Sequence, residues 1–176
     1  MKRVLTCLLL LACCAVSCHR APQGSTVVLV VRHAEKASEA DDSPLTEAGA
    51  QRAQALARVA ADAGVSAIYT TQFKRSHDTA QPLAERLGIA VTEMPVNLQT
   101  PGDYGRRLAT DIIEKHRGQT VLVVGHSNTV AAIVAGFMGR VSAPGEVQYS
   151  DLLIVTIPPS APAQVIRAQY GFADGR

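Results

Sequence analysis

The chain has no tryptophan and only three phenylalanines, and no cysteine follows Cys18. The missing cysteines exclude a disulfide framework or a thiolate metal site anywhere beyond the N-terminus. The shortage of aromatics means that a composition 47% hydrophobic must build a largely aliphatic core. Charge of one sign is also lacking: 17 basic side chains stand against 15 acidic ones, a formal net charge of +2. The basic residues are scattered rather than banded, so the sequence offers no nucleic-acid-binding face. No repeat, low-complexity tract or internal domain boundary interrupts the 176 residues, a length that suits one domain.

All four cysteines (Cys7, Cys13, Cys14 and Cys18) fall in an N-terminal run with the order of a secretion signal. Basic Lys2-Arg3 precedes an apolar stretch from Val4 to Val16 and then small residues. That stretch falls short of the roughly 20 apolar residues of a comfortable membrane span. The run resembles a bacterial lipoprotein signal, in which a small residue precedes the cysteine that is lipidated. Cys18, after Ala15-Val16-Ser17, and Cys13, after Leu10-Leu11-Ala12, both fit, and Cys18 leaves the leader of more usual length. The expectation is a signal over 1–18, a small polar tether over 19–25 and a folded domain over 26–176. The protein would then be exported to the cell envelope and held at a membrane by a lipid, facing the periplasm or the exterior.

Within the domain, Val27–Val31 is a continuous apolar run, the pattern of a strand covered on both faces. Ala53, Leu56, Ala57 and Ala60 form one helical stripe over 46–62, and Ala67-Ile68-Tyr69 reads as a short strand. Ala80, Leu83, Ala84 and Leu87 repeat the helical spacing before Gly88. A short strand is expected at 89–91, a loop over 92–102 and a helix over 103–116. Val121–Val124 reads as a second central strand, and Val130, Ile133, Val134 and Phe137 as the face of the next helix. Two late strands, 152–157 and 164–168, flank a proline-rich turn. Alternation of strand and helix predicts a layered α/β domain with a mainly parallel sheet.

Polar groups follow directly on three of these strands: Arg32-His33, Thr70-Thr71 and His126-Ser127-Asn128. Strand ends of a parallel sheet share one edge, where helix N-termini and diverging loops receive ligands. Arg75, near the start of the next helix, can join them. Arginine forks match phosphate oxygens, and a neutral histidine can attack phosphorus. The simpler alternatives are an Arg32 paired with Glu35 or an aspartate, and a His126 hydrogen-bonded in the core.

Taken together, four segments are similar to those of the histidine phosphatase superfamily, in its phosphoglycerate-mutase-like branch. Arg32-His33-Ala34-Glu35 resembles the Arg-His-Gly/Ala-Glu signature, and Leu45-Thr46-Glu47-Ala48-Gly49 the Leu-Thr-x-x-Gly segment. Thr70–Ala80 resembles the strand-end segment in which an arginine precedes a Thr-Ala pair. Gly125-His126-Ser127 resembles the Gly-His-Ser/Gly segment. The resemblance implies a three-layer α/β/α sandwich and a phosphatase in which His33 becomes phosphohistidine. Arg32, Arg75 and His126 would then cradle the phosphoryl oxygens, with Ser127 near the phosphate and Asn128 orienting His126 or facing the pocket. It implies no metal or organic cofactor, Glu35 as an orienter of its loop, and a phosphorylated small molecule or phosphoprotein as substrate.

Two departures from the family pattern narrow that expectation. No recognisable acid motif lies between Arg75 and His126, where the candidates for proton donor are Glu93 and Asp103. Only 50 residues separate Arg75 from His126, little room for a lid that retains a metabolite as mutases do. Both favour a compact phosphatase acting on good leaving groups, such as phosphohistidine or an acyl phosphate. The rivals are a non-catalytic anion-binding envelope module and a mutase-type phosphotransferase. A serine hydrolase fails at Thr129, where the nucleophile elbow needs glycine, and His33, His77 and His126 match no helical zinc spacing.

Overall fold

The structure, a computed structural model, describes residues 24–40, 42–139 and 145–172. The expected leader with Cys13 and Cys18, and the tether before Gly24, lie outside the described residues. Six strands form one sheet: β1 (Thr26–Arg32), β2 (Val65–Thr70), β3 (Val91–Glu93), β4 (Thr120–Gly125), β5 (Asp151–Ile157) and β6 (Gln164–Gln169). Four helices lie between them: α1 (Glu47–Ala60), α2 (Lys74–Leu87), α3 (Pro101–Lys115) and α4 (Val130–Met138). The sheet order is β3-β2-β4-β1-β5-β6, with β1 to β4 mutually parallel and β5 antiparallel to both its neighbours.

Strand alternation divides the apolar side chains between two cores. Val28 and Val30 of β1, with Tyr69, Val121 and Val123, face Tyr104, Leu108 and Ile112 of α3 and Ile133 and Val134 of α4. Leu29 and Val31, with Ile68, Leu122 and Val124, face Leu56 and Ala60 of α1 and Leu83 and Ala84 of α2. The result is the three-layer α/β/α sandwich with a mostly parallel sheet. Val28, Val30, Val31 and Leu122 are essentially inaccessible, and full burial of such a side chain is worth about 1.5–3 kcal/mol.

Three boundaries differ from the sequence expectation. β3 covers Val91–Glu93 rather than 89–91, because Ile89 is occupied closing α2, its N–H donating to Ala84 O. α3 begins at Pro101, where a proline loses no helical hydrogen bond. α1 ends at Ala60, and a turn carries the chain to Gly64 at φ +69°.

Two contacts place the loop after β1. Thr46 caps α1 by accepting from Gly49 N at 3.0 Å, and its own N–H donates to Glu35 O at 2.9 Å. Gly49 permits that approach, since a Cβ there would lie 2.4 Å from Glu35 O. The Leu-Thr-x-x-Gly segment is therefore the docking point of helix and loop.

Candidate active site

The parallel pairing of β1 with β4 aligns Arg32 with Gly125. One residue on, His33 N–H donates to Gly125 O at 2.9 Å, which draws His33 and His126 together. Their ring centroids are 5.2 Å apart at 60°, and both side chains are buried. β2, on the other side of β4, delivers Thr71 at its end and then Phe73 and Arg75 at the start of α2. The Arg75 guanidinium lies 4.3 Å over the Phe73 ring, which meets His126 edge-on at 5.2 Å. Side chains from three distant stretches of the sequence thus share one sheet edge.

His33 Nδ1 lies 2.8 Å from Ala34 O. A carbonyl only accepts, so Nδ1 carries the proton and Nε2 of the neutral ring keeps its lone pair. Thr79 fixes the same turn: its Oγ1 accepts from Ala34 N at 2.9 Å and donates to Arg75 O at 2.7 Å. The turn bearing His33 and the helix bearing Arg75 are therefore held to each other by one hydroxyl.

Burial, followed by the charges of Arg75, Arg32 and Lys36, pushes the His33 pKa down to about 4, against the opposing bond to Ala34 O. Burial, then His33, Arg75, Arg32 and Lys36, push His126 down to about 3. Both rings are neutral at physiological pH, with a cationic field around them.

Arg32 donates from Nη1 to Val147 O at 3.2 Å and from Nη2 to Tyr149 Oη at 3.1 Å, and its guanidinium lies 3.9 Å over the Tyr149 ring. Neither acceptor is a carboxylate. Glu35, the local alternative for Arg32, instead receives Arg52 of α1, with Nη2 to Oε1 at 2.6 Å. Arg32 keeps its charge without a carboxylate among the described residues, and its buried Nε has no partner there.

The remaining candidates are placed as follows. Ser127 and Asn128 are exposed. Asn128 Nδ2 donates to Leu98 O at 2.9 Å, so it ties down the loop before α3 instead of orienting His126. His126 is oriented by Thr71, whose Oγ1 lies 2.9 Å from Nε2. Glu93 meets His77 at 3.1 Å near the β3 edge, and Asp103 pairs with Arg106 in the first turn of α3. His77 also approaches Thr70 Oγ1 at 3.3 Å, so it belongs to that edge group and not to the His33–His126 pair. Sequence reading assigned no role to Thr71, Ser76, Thr79, Phe73 or Tyr149. The Thr71-to-Ala80 segment itself held a signal for four of them, while Tyr149 lies in an irregular stretch without one.

The family model described as histidine phosphatase superfamily (branch 1) matches residues 28–96. Over that span the chain is similar to the histidine phosphatase superfamily, and the fold and the strand-edge arrangement above accord with that likeness. Among solved structures, a mycobacterial glucosyl-3-phosphoglycerate phosphatase is similar at TM-score 0.66 and 16% identity, covering 80% of this chain and 97% of that one. The phosphoserine phosphatase of Entamoeba histolytica is similar at TM-score 0.65 and 14% identity, covering 84% of this chain and 98% of that one. YhfR of Bacillus stearothermophilus is similar at TM-score 0.65 and 19% identity, covering 80% and 95%. No curated protein matches the chain.

Proposed function

We propose that the protein is a phosphatase that hydrolyses a phosphoryl substrate through a phosphohistidine on His33 Nε2. The observation that carries this reading is the hydrogen bond from His33 Nδ1 to Ala34 O, which leaves Nε2 unprotonated beside Arg32, Arg75 and His126. In the first step the Nε2 lone pair forms an N–P bond as the bond from phosphorus to the leaving oxygen breaks. The leaving group departs with that electron pair. Arg32, Arg75 and His126 hold the charge on the transferring oxygens. Water then attacks phosphorus, the N–P electron pair returns to Nε2, and inorganic phosphate leaves with the water's protons.

The departing oxygen decides the substrate class. Glu93 is engaged by His77 and Asp103 by Arg106, apart from the histidine pair. A leaving group that needs no proton, as from an acyl phosphate or a phosphohistidine, suits such a site better than an alkoxide does. Small phosphorylated molecules are the favoured substrates, in line with the names of two of the similar structures. A phosphoprotein is the alternative. Export and lipidation at Cys18 rest on the leader's order of residues; loss of incorporated acyl label in Cys18→Ala but not in Cys13→Ala would support that site.

The test is phosphate release by the purified protein from acetyl phosphate, a phosphohistidine peptide and simple phosphomonoesters, beside His33→Ala. Release lost in the variant supports the reading. Equal release by the variant removes His33 as nucleophile, and vanadate binding with no release from any substrate favours an anion-binding module.

A further inference from the structure

A row of hydroxyls adjoins His126. His126 Nε2 lies 2.9 Å from Thr71 Oγ1, Thr71 Oγ1 lies 2.8 Å from Ser76 Oγ, and Ser76 Oγ lies 2.7 Å from Phe73 O. All three side chains are buried, Thr71 and Ser76 completely and His126 at 3% exposure. The direction of each bond follows from the far end. A carbonyl only accepts, and the other acceptor within reach of Ser76, at 3.3 Å, is also a carbonyl, Thr71 O. The single hydroxyl proton of Ser76 is therefore committed to a carbonyl, and Ser76 Oγ must accept from Thr71. The Thr71 proton is then spent on Ser76, so Thr71 Oγ1 must accept from His126. His126 carries its proton on Nε2. Its other ring nitrogen, Nδ1, is a bare acceptor that is buried and has no partner among the described residues.

A bare lone pair repels an oxyanion unless a proton lies between them. We propose that the Thr71–Ser76 relay holds His126 as the Nε2–H tautomer, so that Nδ1 shares a proton with the bound phosphoryl group and a fully ionised ligand brings one proton from solution as it binds. Thr71 and Ser76 are positioning residues in this scheme: they act through His126 and do not touch the phosphoryl group.

The surroundings favour this use of a proton. The charged and titratable groups acting on His126 are Arg32 and His33 at the end of β1, Lys36 on the following loop, and Arg75 on α2. Together with burial they hold the ring neutral while the site is empty. An entering dianion reverses that balance, because it offsets the cations and gives an N–H at Nδ1 an acceptor. Proton uptake is thus tied to occupancy, and the site retains neutral His126 between turnovers.

The proposal rests on the phosphatase reading for the identity of the ligand, but its test is independent of turnover. Nitrogen-15 spectra of the histidine rings in the full chain should show His126 protonated on Nε2 and bare at Nδ1. Calorimetric titration with benzylphosphonate, above its second ionisation and in buffers of different ionisation enthalpy, should show uptake of about one proton in the wild type. Thr71→Ser keeps the donor and acceptor and should keep the uptake. Ser76→Ala frees the Thr71 proton to turn toward Nε2, and Thr71→Val removes the acceptor. Each should move the ring proton to Nδ1 and bring uptake close to zero. A resting wild type protonated on Nδ1, or phosphonate bound without proton uptake, would overturn the relay while leaving His33-dependent hydrolysis intact. Phosphate release unchanged in His33→Ala, with the Nε2–H tautomer and the proton uptake both present, would overturn the phosphatase reading and leave the relay standing.

Discussion

Glu35 and Arg52, 17 residues apart, meet as a carboxylate and a guanidinium in full register: Nε reaches both carboxylate oxygens at 2.9 and 3.0 Å, and Nη2 reaches Oε1 at 2.6 Å. Arg52 is wholly buried, and its Nη1 also donates to Phe172 O at 3.0 Å. The pair therefore joins the loop that follows His33 to α1 and to the segment after β6. Removing Glu35 takes this carboxylate from a buried cation that keeps its carbonyl contacts, and breaking a buried ion pair completely costs about 3–5 kcal/mol. Glu35 is 22% exposed, so water recovers part of that, and Glu35→Ala is expected to lose about 2–3 kcal/mol. Urea denaturation checks this. Glu35→Ala with Arg52→Met should recover much of the loss, and equal destabilisation by both variants would show that the pair itself is not the source.

Acid should weaken the fold through the two site histidines. In the unfolded chain they titrate near 6.5, whereas in the native site His33 stays neutral down to about 4 and His126 down to about 3. Over that window the unfolded chain binds more protons, so stability rises with pH. The contribution is complete above about pH 6.5 and is lost as pH falls through 4 and then 3. At about 1.4 kcal/mol for each pH unit separating the two states, the effect reaches a few kcal/mol. Urea midpoints between neutral pH and mild acid should fall steeply in the wild type and more gently in His126→Gln. An unchanged slope would mean that other groups dominate acid unfolding.

The parts of this architecture that were legible in the sequence are those with a local cause. Val27–Val31 and Val121–Val124 read as central strands because burial on both faces demands uninterrupted apolar residues. The common placement of Arg32, His33, Arg75 and His126 could be read because Arg32 ends β1, His33 and His126 directly follow β1 and β4, and Arg75 opens the helix after β2, and a parallel sheet brings such ends together. Edge strand β3 was misplaced by two residues because Thr92 and Glu93 are exposed and carry no apolar signal. Tyr149 was missed because it reaches Arg32 from 117 positions away, a contact without local periodicity. Glu35 could have served Arg32 three residues back, and only the packing of α1 shows that Arg52 takes it instead.

Glu93 and Asp103, the two carboxylates the sequence offers as proton donors, are expected to be dispensable. The first is held by His77 and the second by Arg106. Glu93→Gln and Asp103→Asn should change kcat/KM for acetyl phosphate and for a phosphomonoester by less than about threefold, well below the 10²–10⁴ contributed by a working general acid. A large loss confined to the phosphomonoester in either variant would identify the donor and extend the substrate range to poorer leaving groups.

Arg32 and Tyr149 should separate charge from placement. Arg32→Lys keeps the charge but loses the planar fork, along with one of the bonds to Val147 O and Tyr149 Oη and the stacking at 3.9 Å. Loss of a preorganised donor to the transferring phosphoryl group is expected to lower kcat by about 10²–10³. Tyr149→Phe keeps the stacking surface and removes only the hydroxyl acceptor, so it leaves the guanidinium charge in place but less firmly aimed. Its expected cost is about tenfold, the equivalent of one hydrogen bond to a charged group. Steady-state kinetics with acetyl phosphate distinguish the two. If Tyr149→Phe matched Arg32→Lys, the hydroxyl would have to act on the substrate directly, and Tyr149 would move from positioning residue to catalytic residue.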